Sequence, residues 1–173
     1  MEFIDLHLEN ASLLEEEKKL GFSSIFTPKT IFLKAGKDTN ALHDGFIAES
    51  DNSELIRAAA KKKVLINPFA LKGFFKDVGL IRAVCEGKAI FEIPLDIFLY
   101  SSGARRSKLI REASIFLGKC IKLKARYCLT LRAKTHFDLK TPFEMEAIGI
   151  ALGLTNEQAK AAVSLYPEKW LNV

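Results

Sequence analysis

The chain reads as short apolar runs separated by longer amphipathic stretches. Runs that alternate apolar with polar, or stay apolar between turn residues, occupy Phe3–Leu8, Ser23–Phe26, Ile31–Leu33, Phe46–Ala48, Val64–Ile66, Ala89–Ile93, Tyr127–Leu131 and Ala162–Leu165. These predict strands. Between most of them the apolar positions recur at helical spacing, predicting helices over Ala11–Leu20, Ser53–Lys62, Lys76–Glu86 and Ala104–Arg126. Gly21 and Gly87 stop the first and third of these, and Ser53 is the expected N-cap of the second. A further helix, Phe143–Leu152, is announced by Thr141-Pro142 and Glu144: a hydroxyl N-cap, a proline in the first turn and the reciprocal capping carboxylate.

Strands alternating with helices imply parallel pairing through right-handed crossovers, and a chain of such units implies an α/β fold of the TIM-like (β/α) barrel type. Length argues for a reduced version. The 173 residues divided among eight units leave about 22 each, against ~30 for a full βαβ unit. Thr27-Pro28-Lys29-Thr30 is too short for a parallel crossover, so either the second and third strands form a hairpin or one of them lies outside the barrel. Missing helices therefore belong to the N-terminal half, and residues 1–173 are expected to form one domain.

Composition narrows the class. With 49% hydrophobic and 27% charged residues, and Phe unusually frequent at 13, the chain is a folded globular protein rather than a disordered one. No apolar run approaches the ~20 residues of a membrane span. The start, Met1-Glu2-Phe3-Ile4-Asp5, carries acid where a signal peptide would carry positive charge, so a cytoplasmic protein with no membrane partner is expected. Cys85, Cys120 and Cys128 are odd in number and lack the spacing of a zinc site, which makes them small core residues.

Charge changes the picture more. The formal net charge of +5 is unevenly spread: residues 1–60 hold 6 basic and 11 acidic side chains, whereas residues 101–140 hold 11 basic and 2 acidic. Most of that excess falls on Ala104–Arg126, with eight basic residues and the single acid Glu112. On a helical wheel Leu109, Ala113, Phe116 and Cys120 form a core stripe, while Arg105, Lys108, Arg111, Lys119, Lys122 and Arg126 form a cationic one. A helix shaped only for solubility would interleave Glu with Lys at i,i+4, and this one mostly lacks such pairs. The stripe, with Arg106 beside it, is a candidate polyanion-binding face. Arg132, Lys134, His136 and Lys140 follow the seventh strand, on the face where barrels place function, and are candidates to extend it.

The second half also resembles a known family. Val64-Leu65-Ile66-Asn67-Pro68 is followed by Ile93-Pro94-Leu95, then Tyr100-Ser101-Ser102-Gly103-Ala104-Arg105-Arg106 and its helix, then Leu129-Thr130 and Phe137-Asp138-Leu139-Lys140-Thr141-Pro142. Ile148-Gly149, Gln158-Ala159-Lys160 and Ser164-Leu165-Tyr166-Pro167-Glu168 complete the series. In this order the segments resemble the ribonuclease P protein component 3 family, whose members have a barrel fold; the first 60 residues match it only through Phe3-Ile4-Asp5-Leu6 and Leu20-Gly21. The resemblance implies a noncatalytic subunit of a ribozyme that removes the 5′ leader of precursor tRNA. It implies ribonuclease P RNA and a small partner protein as neighbours, with precursor tRNA met indirectly. The cationic residues would then face RNA.

The alternative is a metal-dependent phosphoesterase, because related barrels begin with HxH and gather His and carboxylates at strand ends. Here Asp5-Leu6-His7-Leu8-Glu9 lacks the second His, and the other candidates are Glu49, Asp51, Glu92, His136 and Asp138. Three His in the whole chain, with His43 in a separate loop, are few for an open hydrolytic site. No nucleotide-binding or nucleophile motif occurs, so no catalytic residue, metal or cofactor is assigned.

Overall fold

The computed structural model describes residues 2–172. Seven short strands, β1 (Ile4–Asp5), β2 (Ser24–Ile25), β3 (Thr30–Phe32), β4 (Ile47–Glu49), β5 (Leu65–Ile66), β6 (Ile90–Pro94) and β7 (Tyr127–Thr130), lie close to their expected positions. Every paired strand is parallel to its neighbour: β1 with β2, and β3 through β7 in chain order. Of the two alternatives for the Thr27–Thr30 connection, the hairpin between β2 and β3 does not form. The sheet divides there, each strand pairing only with its other neighbour, so the short Thr27–Thr30 connection needs no crossover helix. Across the β7–β1 side the arc is joined by Arg132 N–H donating to His7 O at 2.9 Å, and by the Leu131 N–H reaching the Asp5 carboxylate at 3.3 Å.

The helices are α1 (Leu14–Lys19), α2 (Ser53–Ala59), α3 (Val78–Glu86), α4 (Asp96–Leu99), α5 (Gly103–Leu123), α6 (Pro142–Ala151), α7 (Asn156–Ala162) and α8 (Leu165–Leu171). Local chemistry sets their ends. Asn52, rather than Ser53, caps α2 by accepting the Glu54 N–H, and Asp77 caps α3 by accepting the Leu80 N–H, both at 2.9 Å. The box at α6 closes as expected, with Thr141 N–H donating to Glu144 Oε2 at 2.7 Å. Gly21 ends α1 with a positive φ of 110°. Gly87 ends α3 for another reason: a Cβ there would lie 2.0 Å from the carbonyl oxygen of Ala60, which accepts the next two backbone N–H groups.

The eighth expected strand, Ala162–Leu165, is instead the corner between α7 and α8. Ala162, Val163 and Ser164 are buried on all sides, and an apolar run that short carries no readable period. It still does part of a strand's work, since Val163 O accepts the Ile4 N–H at 2.9 Å. Nor is there a full helix between β2 and β3, or more than a 3-10 stretch (Gly36–Ala41) between β3 and β4, which is where the chain is short. Cys120 and Cys128 are core residues, but Cys85 is exposed, contrary to expectation, with its thiol 3.3 Å from Leu123 O.

Two separate hydrophobic clusters show that the strands curl. The larger packs Ala48, Ile66, Phe91, Ile93, Tyr127 and Leu129 against the helices. The smaller holds Ile4, Leu6, Ile47, Leu65, Ile90 and Cys128 around Trp170 of α8. Alternate residues of one strand point to opposite faces, so the second cluster is the inside of the arc and Trp170 is its plug. The indole N–H is satisfied by Lys88 O at 2.8 Å.

Candidate nucleic-acid interface

In β4 to β7 a polar residue stands two beyond the apolar lumen position: Glu49 after Ile47, Asn67 after Leu65, Glu92 after Ile90, Thr130 after Cys128. These form an upper layer at the C-terminal ends of the strands, and they bind one another. His7 Nδ1 meets Glu92 Oε1 at 2.5 Å, and Thr130 donates to the same oxygen at 2.9 Å. Asn67 donates to Glu49 Oε1 at 2.7 Å, and Arg132 pairs with that oxygen at 3.2 Å. Burial pushes the Glu92 carboxyl up, but the His7 ring, Arg132 and Thr130 outweigh it and hold the group below its ordinary range. Burial likewise opposes the Arg132 charge, and Glu92, Glu49 and Asp96 more than restore it.

The carboxylates singled out as metal-ligand candidates are thus largely engaged. Glu92 and Glu49 are held as above, Asp5 accepts the N–H groups of His7 and Leu131, and Asp138 caps its own turn. Asp51 and His136 are exposed. Among the described residues, no group of three or more His, Cys, Asp or Glu is arranged to hold a metal ion.

On α5 the wheel is right about the faces. Ala113, Phe116, Leu117 and Cys120 are buried, and Arg105, Lys108, Arg111 and Lys122 are exposed. Among the described residues no ion pair involves any basic residue of this helix. The remaining sequence candidates are partly committed to the fold. Arg106 donates to Ser101 O at 2.5 Å and to Leu99 O at 3.2 Å, bracing the corner between α4 and α5. Lys119 donates to Phe75 O at 2.8 Å, and Arg126 donates to the carbonyls of Val84 and Gly87 at the end of α3. Lys140 donates to Phe137 O and Leu139 O, both at 3.0 Å.

Arg132 leaves the outer face altogether, its side chain only 15% exposed within the upper layer of the lumen. Lys134 is exposed, 3.6 Å from Glu9, and the His136 ring lies against exposed Phe137. α5 ends earlier than its periodicity suggests, at Lys124, whose φ of 60° is left-handed. Sequence reasoning missed Asp96 and Tyr100, which adjoin the start of α5. No spacing rule marks them, because their neighbours come from other elements. Among the described residues no helix is long and apolar enough to cross a membrane.

The arrangement defines a class first: a TIM-like parallel α/β protein whose strand-end polar groups are turned inward upon each other, and whose free charge lies on an outer helix. The solved structure of an archaeal ribonuclease P with mature tRNA contains a chain of this fold, superposing with a TM-score of 0.71 over 98% of this chain and 79% of that one, at 16% identity. The family model described as RNase P subunit p30 matches residues 63–172, and the chain belongs to that family. Among its relatives is ribonuclease P protein component 3 of Methanosarcina acetivorans, 29% identical over 146 residues that make up 82% of this chain and 60% of that one. The protein of the same name from Methanococcoides burtonii is 27% identical over 135 residues, 76% of this chain and 54% of that one. The matched region thus spans between about half and three fifths of these relatives' length.

Proposed function

We propose that the chain is a noncatalytic protein subunit of ribonuclease P, holding the RNA through the exposed cations of α5 in an enzyme that removes the 5′ leader from precursor tRNA. Family membership supports the assembly, and one observation carries the RNA contact: Arg105, Lys108, Arg111 and Lys122 stand exposed on a helix without a single ion pair among the described residues. Cations left unneutralised on a folded surface attract a polyanion and release its counterions when bound. Lys134 and His136, exposed beyond β7, extend this face. Arg106, Lys119 and Lys140 give part of their donor capacity to backbone carbonyls of the fold, and Arg132 lies in the lumen, so these four are secondary to the exposed cations. A small ribonuclease P protein as the companion subunit belongs to the same reading. The paired donors of the barrel mouth favour no hydrolytic role for this chain.

The test is the quadruple variant Arg105→Ala, Lys108→Ala, Arg111→Ala, Lys122→Ala, with RNA affinity measured against salt. For every phosphate that the variant no longer neutralises, the slope of log K against log salt should fall by roughly 0.7–0.9, while the circular dichroism spectrum stays that of wild type. Unchanged affinity and slope in a folded variant would remove the face from the interface.

A further inference from the structure

The helix α6 (Pro142–Ala151) is apolar on both of its sides. Of its ten residues only Glu144 and Glu146 are polar, and it carries no Lys or Arg. Its inner side is sealed against β7 and α7. Pro142, Met145 and Gly149 are buried there, and a Cβ at Gly149 would lie 2.9 Å from Leu129 Cδ1 and 3.2 Å from Ala159 Cβ. On the other side Phe143 is 71% exposed and Ile150 43%, and Ala147 and Ala151 are exposed as well. At about 100° per residue these four share an arc of roughly 100°, a single stripe along the helix. The ring of Phe3 meets Phe143 edge-on at 5.9 Å and widens the stripe. A surface helix ordinarily turns polar residues outward, and one that is apolar all round belongs inside. α6 has the composition of a buried helix with one side uncovered.

Charge says what covers it. On the same wheel Glu144 and Glu146 fall on opposite borders of the stripe, so both flanks are acidic. The Thr141 N–H and hydroxyl donate to Glu144 Oε2 at 2.7 and 2.9 Å, which fixes that carboxylate beside Phe143 and holds it below its ordinary range, hence ionised. Neither glutamate has an ion pair among the described residues. Glu157, exposed in the first turn of α7, adds a carboxylate on the helix packed beside α6. Residues 141–173 as a whole hold four acidic side chains and two basic, the reverse of α5. Such a face repels RNA. It also disfavours a second copy of the chain, because a two-fold contact through α6 would bring the glutamates of both copies together.

We propose that the outer side of α6 is a docking surface for a protein partner that presents an apolar ridge bordered by Lys and Arg, with Phe143 and Ile150 as the anchors and Glu144 and Glu146 pairing with its cations on either side. Apolar anchors at the centre and complementary charges at the rim are the usual division of labour in a protein interface. The chain thus carries two faces of opposite chemistry, cationic α5 and acidic, apolar α6. The proposal rests on the ribonuclease P reading only for the choice of complex in which it is tested.

That complex is purified from the source cells through a tag on this chain and treated with a carbodiimide, which joins carboxylates to lysine amines in direct contact. Mass spectrometry should find Glu144 or Glu146 joined to a lysine of a different protein. Hydrogen exchange needs no variant to fold: backbone amides of α6 should exchange at least about tenfold more slowly in the complex than in the chain alone. Phe143→Ser combined with Ile150→Ser replaces exposed side chains and leaves the core intact. It should lower recovery of the crosslinked protein by about thirtyfold, while the circular dichroism and RNA affinity of the chain alone stay those of wild type.

Equal exchange of α6 in the complex and in the chain alone overturns the docking surface and leaves the ribonuclease P reading standing. Crosslinks from Glu144 or Glu146 to a second copy of the chain, or protection of α6 by RNA alone, also overturn it. A complex without ribonuclease P RNA overturns the subunit reading, and α6 is then still decided by its own protection and crosslinks.

Discussion

At the scale of single residues the most informative pair is Asp5 and Glu17, two fully buried carboxyl groups with the α1 side chain packed against β1. Burial first, and then the Asp5 charge and hydrogen bond, push the Glu17 carboxyl up to about 9 from its ordinary 4.5. The folded state therefore holds a proton there that the unfolded state has released. Stability from this group is complete below about pH 4.5 and declines as pH rises toward about 9. Glu17→Gln should flatten that decline and raise stability in the alkaline part of the window, as seen by urea unfolding at several pH values. Parallel stability–pH curves for the two proteins would refute the assignment. Nothing in Leu14-Glu15-Glu16-Glu17 distinguishes the third carboxylate from its neighbours, because its burial is decided by the strand it meets. The same holds at the candidate site. That α5 is cationic is visible in its letters, but the acceptors that commit Arg106 and Lys119 are backbone carbonyls of Ser101 and Phe75, delivered by tertiary packing.

Elements are more legible than residues where two signals agree. The Thr141/Glu144 box and Pro142 fix the start of α6 to the residue, since capping is local chemistry. The end of α5 falls short of the predicted Arg126, because the apolar and basic periods run on into Ala125 and Arg126 while the backbone turns at Lys124. A lysine in left-handed geometry costs about 1 kcal/mol that a glycine avoids. Lys124→Gly should accordingly stabilise the protein by about that much, raising Tm by several degrees in a thermal melt. A drop in Tm would mean that the Lys124 side chain makes contacts that outweigh the backbone gain. The Ala162–Leu165 corner is illegible for the opposite reason: every residue before Leu165 is buried, so neither a period of two nor one of 3.6 can show itself.

For the molecule as a whole, strand order and parallel pairing follow from alternation and length, but the division between β2 and β3 does not, being a matter of which strand edges find partners. The lumen gives the sharpest test of the curled architecture. Trp170 is 1% exposed among residues of five strands, so Trp170→Ala should cost about 3–5 kcal/mol in equilibrium unfolding. A cost below about 1 kcal/mol would mean that the plug is dispensable.

The lumen also makes the strands a code of odd and even. In β6, Ile90 and Glu92 point inward while Phe91 and Ile93 face the helices, and in β7 Cys128 and Thr130 point inward while Tyr127 and Leu129 do not. Inserting or deleting one residue in either strand would exchange the two sets, placing Glu92 among the phenylalanines of the outer core and Phe91 beside His7. The strands of this fold are therefore closed to single-residue length change, and variation in length is left to the connections between them.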